Sequence, residues 1–229
     1  MFGLGKPSRP TAVAFDIIGT VFPLEPMRPA ILALGLPAAG LEGWFAAGLR
    51  DAFAMSAVGD FKPFTTVLEG ALDQVLAEQG LTAPEGEKTA LVKQLEQLSA
   101  RPDALQAFEM LKREGVRIAA LTNGSKSSTR SLLEQSGLLD LVERVISVDE
   151  VKLSKPRREV YEHAAQTMKV EPGELALLAA HPWDVNGAKA AGLATAYLSA
   201  ERPFSHAMRT PDVEGATLVE AVQRLLELH

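Results

Sequence analysis

Apolar and polar positions alternate along this chain in two rhythms. Short apolar, β-branched runs predict buried strands at residues 11–18 (TAVAFDII), 116–124 (VRIAALTNG), 144–150 (RVISVDE), 175–181 (LALLAAH) and 194–200 (ATAYLSA). Between them lie stretches of helical spacing. PDALQAFEMLKREG opens on Pro102 and Asp103 and stops at Gly115, SSTRSLLEQSG starts from a serine pair, and REVYEHAAQTMKV carries Val160, Ala164 and Met168 on one face. Strands alternating with helices of this length predict right-handed βαβ units, hence an α/β fold: a Rossmann-like parallel sheet with helices on both faces. The final stretch, VEGATLVEAVQRLLELH, reads as one amphipathic helix packed on the sheet.

Residues 26–100 break the rhythm. AILALGL, GLEGWFAAGLRDAFAMSA, FTTVLEGALDQVLAEQG and GEKTALVKQLEQLSA all read as helices, with no strand among them. The expected organisation is a core formed by residues 1–24 and 101–229, with residues 25–100 inserted after the first strand as a helical cap. Such a layer sits over the carboxyl ends of the strands, where open α/β sheets place their ligands.

Composition changes this picture little. Of 229 residues 47% are hydrophobic and 23% charged, as in an ordinary globular chain. The net charge of -6 disfavours a nucleic-acid or anionic-membrane partner, which needs a concentrated basic face. With no cysteine, disulfides, thiolate metal sites and cysteine nucleophiles are excluded. No run approaches the roughly 20 apolar residues of a spanning helix. The opening residues lack the pattern of a secretory signal and read as a short arm around Pro7 and Pro10, so a cytoplasmic location is expected.

The candidate chemistry lies at strand ends. Asp16, Thr122, Lys155 and Asp184 all fall at or just past the carboxyl end of a predicted strand. Each has an ordinary structural reading as well: Asp16 as a turn residue, Thr122 or Ser125 as a helix cap, Lys155 as a solvated cation, Asp184 as a first-turn acid. Lys155 precedes Pro156, which sets its backbone extended with a helix beginning afterwards. Two carboxylates sharing one ammonium can support covalent hydrolysis: one acid attacks, the other handles water, and the cation keeps both ionised.

In this order FDIIGT, LTNGS, KLSKPRREVYEHAA and AAHPWDVNGAKAAG resemble the four motifs of the haloacid dehalogenase-like superfamily, and the helical insertion after the first motif is most similar to its 2-haloacid dehalogenase branch. The resemblance runs from about Ala12 to the C-terminus. It implies a Rossmann-like core with a cap, Asp16 as nucleophile, anion contacts at Thr20, Thr122 and Asn123, Lys155 as charge partner and Asp184 as the water-handling acid. Tyr161 matches a tyrosine near the nucleophile, and Ile17, Phe45, Arg50, Tyr161 and Trp183 are the substrate-binding candidates. No metal is required in this branch, and a homodimer built partly through the cap is implied.

Ile18 bears on the reaction. The superfamily's phosphatases place a second aspartate here to protonate a departing alcohol; isoleucine cannot do so, and halide needs no proton. The expected activity is therefore hydrolytic dehalogenation of a small 2-haloalkanoic acid through an aspartyl ester. The alternatives are a phosphatase holding Mg2+ through Asp16 and Asp184, and a catalytically divergent binding protein. The chain also departs from the branch in three places. Phe45 follows Trp44 where an arginine is usual, leaving either Arg50 or Arg28 as anion clamp or a substrate without the expected acid, and Ala179 and His181 replace a serine and an asparagine ahead of Asp184. His181 can hydrogen-bond water or a carboxylate, which makes it a candidate in the second half-reaction.

Overall fold

A computed structural model describes residues 8–229; the arm reading at Pro7 lies outside them, and Pro10 is buried. The five expected strands form, as β1 (Ala12–Asp16), β2 (Arg117–Thr122), β3 (Arg144–Ser147), β4 (Leu175–Ala179) and β5 (Ala194–Leu198). A sixth, β6 (Val213–Gly215), pairs in parallel with β5 and completes a sheet of order β3-β2-β1-β4-β5-β6. All pairings are parallel, and the chain reverses its winding between β1 and β4, so β1 lies at the switch point.

Side chains alternate through the sheet as a pleated strand requires. Val13 and Phe15 point to the face covered by α5 (Ala104–Arg113), α6 (Lys126–Gln135) and α9 (Leu218–Leu226); Ala12 and Ala14 point to the face covered by α7 (Arg158–Met168) and α8 (Pro182–Ala190). Phe15 meets Phe108 of α5 with ring centroids 4.3 Å apart.

The elements named between β1 and α5 are all helical: a 3-10 turn at Glu25–Met27, α1 (Arg28–Ala33), α2 (Gly40–Val58), α3 (Phe64–Glu78), α4 (Glu85–Lys93) and a second 3-10 turn at Gln94–Gln97. Its two connections meet, because Arg101 N–H donates to Val21 O at 2.9 Å and Arg101 Nε donates to Thr20 O at 2.6 Å. Apolar side chains of α2 and α3, among them Trp44, Phe45, Leu49, Phe64 and Leu68, run into the same buried cluster as the sheet. Trp44 is buried and donates its indole N–H to Leu68 O at 2.8 Å, fixing α2 against α3.

One expectation is corrected. Residues 213–229 do not form a single helix: 213–215 are strand, and Thr217 then caps α9 by accepting from Glu220 N at 3.1 Å. Gly215 makes the junction possible, since a Cβ there would stand 2.3 Å from Ala221 N. No helix among the described residues is long and apolar enough to cross a membrane.

Candidate active site

The strand ends bring together the four groups singled out in the sequence. Asp16 ends β1, with only 4% of its surface exposed. Thr122 ends β2, Lys155 lies in the loop between β3 and α7, and Asp184 sits in the first turn of α8. Lys155 is fully buried and places Nζ 2.7 Å from Asp16 Oδ1, 2.7 Å from Asp184 Oδ2 and 3.1 Å from Leu121 O, which uses all three of its donors. Its loop is anchored twice: Lys155 N–H donates to Asn123 Oδ1 at 3.0 Å, and Ser154 N–H donates to Ser56 Oγ, at the end of α2, at 2.8 Å.

The other carboxylate oxygen of Asp16 has different partners. Thr20 Oγ1 donates to Oδ2 at 2.5 Å, while Thr20 accepts Ala180 N–H at 2.9 Å. His181 Nδ1 lies 2.8 Å from the same oxygen. The imidazole is stacked between Trp183 and Phe45, with centroids at 5.2 and 6.0 Å. Gly19, at φ +82°, makes room for it: a Cβ would stand 2.7 Å from Cε1 and 2.8 Å from Nε2.

Charge follows from this packing. Burial pushes the Asp16 pKa upward, but the Lys155 charge and the hydrogen bond and charge of His181 outweigh it, holding this carboxyl well below the usual aspartate range. Burial also works against the Lys155 ammonium, which the two carboxylates nevertheless hold protonated above its ordinary value. For Asp184, burial and the neighbouring Asp16 charge win over Lys155 and Tyr161, and its pKa is raised. Tyr161, buried behind it and donating to Asp184 Oδ1 at 2.5 Å, stays a neutral phenol because burial and the Asp184 charge both push its pKa up.

A narrow chamber with a cavity volume of only about 10 Å³ opens on Asp16, lined on the strand side by Ile18, Thr122, Asn123, Gly124, His181 and Trp183 and on the helical side by Phe45, Leu49 and Phe64. As packed it has room for about one water molecule, so a larger ligand requires its walls to move apart. Thr122 Oγ1 accepts Gly124 N–H at 2.9 Å within the turn, and the cap of α6 is Ser125, which accepts Ser128 N–H at 3.1 Å.

Several candidates fall elsewhere. Arg50 is exposed on α2, hydrogen-bonded to Asp51 and Gln74, and reaches no part of the chamber. Arg28 pairs with Glu25 and Glu42 instead. Ile17 points into the hydrocarbon core; Ile18, the next residue, faces the chamber. Tyr161 stands behind Asp184 rather than on the chamber wall, and Asp184 itself lies behind Lys155. Leu49, Gly19 and Ser56 were not among the sequence candidates. Leu49 was within reach, being one helical turn after Phe45 on the same face.

A buried Asp–Lys–Asp array at the switch point of a parallel sheet, roofed by helices inserted after the first strand, defines a Rossmann-like hydrolase core with a helical cap. The family model for haloacid dehalogenase-like hydrolases matches residues 10–192, and the chain belongs to that family. It is 30% identical over 186 residues to (S)-2-haloacid dehalogenase 1 of Pseudomonas sp. (strain CBS-3), covering 81% of this chain and 82% of that protein. It is 27% identical to haloacetate dehalogenase H-2 of Moraxella sp. (strain B), covering 88% of this chain and 91% of that protein. Its fold superposes on L-2-haloacid dehalogenase from Xanthobacter autotrophicus with a TM-score of 0.86 at 23% identity, over 96% of this chain and 100% of that one. A second structure of that protein, with chloropropionic acid covalently bound, gives a TM-score of 0.85 at 23% identity over the same 96% and 100%.

Proposed function

We propose that this chain is a hydrolytic dehalogenase of small 2-haloalkanoic acids, working through an ester on Asp16 and releasing halide and a hydroxy acid. The observation that carries this reading is the Lys155 ammonium 2.7 Å from both Asp16 and Asp184, which keeps Asp16 an ionised nucleophile at the edge of an apolar chamber. An Asp16 oxygen bonds to the halogen-bearing carbon, and halide departs with the electron pair. Water then adds to Cγ of the ester, the carboxylate is restored, and of the two water protons one ends on the product hydroxyl and one reaches solvent. Asp184 acts on this second step through Lys155.

The relatives' activities support both the reaction class and a small haloacid as substrate. Among the described residues no arginine lines the chamber. In this reading the substrate carboxylate is received by the Asn123 amide and the N–H groups opening α6. Ile18 supplies hydrocarbon where a phosphatase needs an acid, and the Lys155 ammonium already stands between the carboxylates that would hold magnesium. The division into core and cap at residues 24/25 and 100/101, and pairing of two chains through the cap, belong to the same reading.

The test is a single turnover in ¹⁸O-labelled water with chloro- and bromoacetate or 2-chloropropionate, with and without EDTA. Label is expected in the Asp16 carboxylate, chelator is expected to have no effect, and Asp16→Asn is expected to release no halide. Label found only in the product would defeat the ester mechanism, and EDTA-sensitive cleavage of p-nitrophenyl phosphate would favour the phosphatase.

A further inference from the structure

The two oxygens of Asp16 are held unequally, and we infer that His181 and Thr20 form an oxyanion site on one of them: Oδ2 becomes the ester carbonyl and carries the charge during hydrolysis, whereas Oδ1 bonds to carbon and leaves with the product. This rests on the dehalogenase reading and deepens it.

An ionised carboxylate has no proton to give, so the hydrogen between His181 Nδ1 and Asp16 Oδ2 belongs to the imidazole. Thr20 is directed likewise, because its oxygen already accepts Ala180 N–H and its own hydrogen is left for Oδ2. Oδ2 thus accepts two hydrogen bonds, at 2.5 and 2.8 Å, and has no lone pair left for attack. Oδ1 has a single partner, Lys155 Nζ, and keeps one lone pair free.

The electrons then have defined destinations. Attack by Oδ1 forms the O–C bond and breaks the carbon–halogen bond. Addition of water to Cγ moves the C=O pair onto Oδ2, where two donors already stand, and the added oxygen gives one of its two protons to solvent and keeps the other. Collapse returns that pair and breaks Cγ–Oδ1. Oδ1 departs as the product's alkoxide, takes a proton from Lys155, and Lys155 recovers one from the newly formed carboxylic acid.

His181 is shaped for donation rather than for activating water. Its two nitrogens point to opposite sides of the ring, so a water on Nε2 would lie away from Cγ. Nε2 is buried with no partner among the described residues, and the Cε1–Nε2 edge packs against Gly19. Stacking by Phe45 and Trp183, each at 28° to the ring, fixes the direction of the Nδ1 donor.

The experiment compares His181→Leu with His181→Asn by rapid quench and intact-protein mass spectrometry, using chloroacetate. Asparagine carries its amide nitrogen on the same branch as Nδ1 and restores the donor without the ring; leucine places a methyl group there. In His181→Leu the ester is expected to form within about 10-fold of the wild-type rate and to accumulate, its hydrolysis slowed by about 10² to 10³-fold. His181→Asn is expected to recover at least about 10-fold of that loss. Hydrolysis at the wild-type rate in His181→Leu, or an equal loss of both steps in both variants, would overturn the assignment. Should the leucine variant not fold, a crystal structure of the ester in His181→Asn decides: alkyl carbon on the oxygen facing Lys155 supports it, and on the oxygen facing Thr20 refutes it. A wild-type enzyme that forms no ester would remove the dehalogenase reading and this inference together; an ester whose hydrolysis ignores position 181 removes this inference alone.

Discussion

Lys155 Nζ lies 2.7 Å from Asp184 Oδ2, and neither side chain has any exposed surface. The ammonium therefore cannot be replaced by water. In Lys155→Met two buried carboxylates face each other with no cation, and at least one takes up a proton at neutral pH. We expect no detectable ester formation and a stability loss of about 3–5 kcal/mol, read from urea unfolding. A variant that forms the ester normally would contradict the charge assignment.

Tyr161→Phe tests the far side of the same array. The phenol donates to the ionised form of Asp184, so losing it raises the Asp184 pKa further above its ordinary value. Ester hydrolysis is expected to slow by about 10-fold, the equivalent of ~1.4 kcal/mol, with its acid limb displaced to higher pH. An unmoved pH profile would show that the phenol does not act through Asp184.

The opposite pKa shifts of the two aspartates separate the half-reactions in acid. Asp16 is held below the ordinary 3.8 and Asp184 above 3.8, so on lowering the pH Asp184 protonates first while Asp16 remains a nucleophile. Ester is therefore expected to accumulate as pH falls into the window between them, seen by mass spectrometry of acid-quenched samples. The stability signs oppose as well. Asp16 contributes stability present above its unfolded value and lost as pH falls through its lower folded value; ionised Asp184 opposes folding, increasingly as pH rises from its unfolded value to its higher folded one. Asp184→Asn is expected to remove the upper step in both measurements.

Gly19→Ala places a Cβ 2.7 Å from the His181 ring at a backbone φ of +82°. The left-handed conformation alone costs an alanine about 1 kcal/mol. The larger effect expected is displacement of the imidazole from Asp16, slowing hydrolysis more than alkylation. Equal loss of both rates would point to general unfolding instead.

Arg50→Ala provides the contrasting case. The guanidinium is spent on Asp51 and Gln74 at the surface, so kcat and KM for haloacids are expected to stay within about twofold of wild type and the thermal midpoint within error. A rise in KM of more than about 10-fold would show that α2 turns this side chain inward during turnover.

Most of the architecture was legible because buried parallel strands and two-faced helices write different periods into a chain. β6 escaped because three residues, one of them Glu214, are too short to show a period, and because the helical pattern starting at Leu218 invited extension backwards. Asp16, Lys155 and Asp184 could be placed from their common position at strand ends. The side-chain directions within one turn could not: Ile17 and Ile18 are the same residue type, and only the end of the β1 pleat decides which faces the chamber. Arg50 looked suitable by charge, but the rotation of α2 about its axis is set by Trp44 and Leu68, and that rotation carries Phe45 and Leu49 inward and Arg50 outward. Phe45, a substrate-binding candidate in the sequence, is a buried residue of the core that also lines the chamber and packs against the His181 ring.

Phe45 and Leu49 have one further role as a partition. On their other side lies a hollow of about 130 Å³ bordered by Gly19, Glu25, Glu42, Glu201 and Arg202. If traffic crosses this wall, every turnover requires two hydrocarbon side chains to swing aside and return, once for the incoming acid and again for its products. The pace of such an enzyme would be limited by the door as well as by the chemistry, and raising solvent viscosity with sucrose would slow multiple turnovers while leaving the rate of bond cleavage in an already loaded site unchanged.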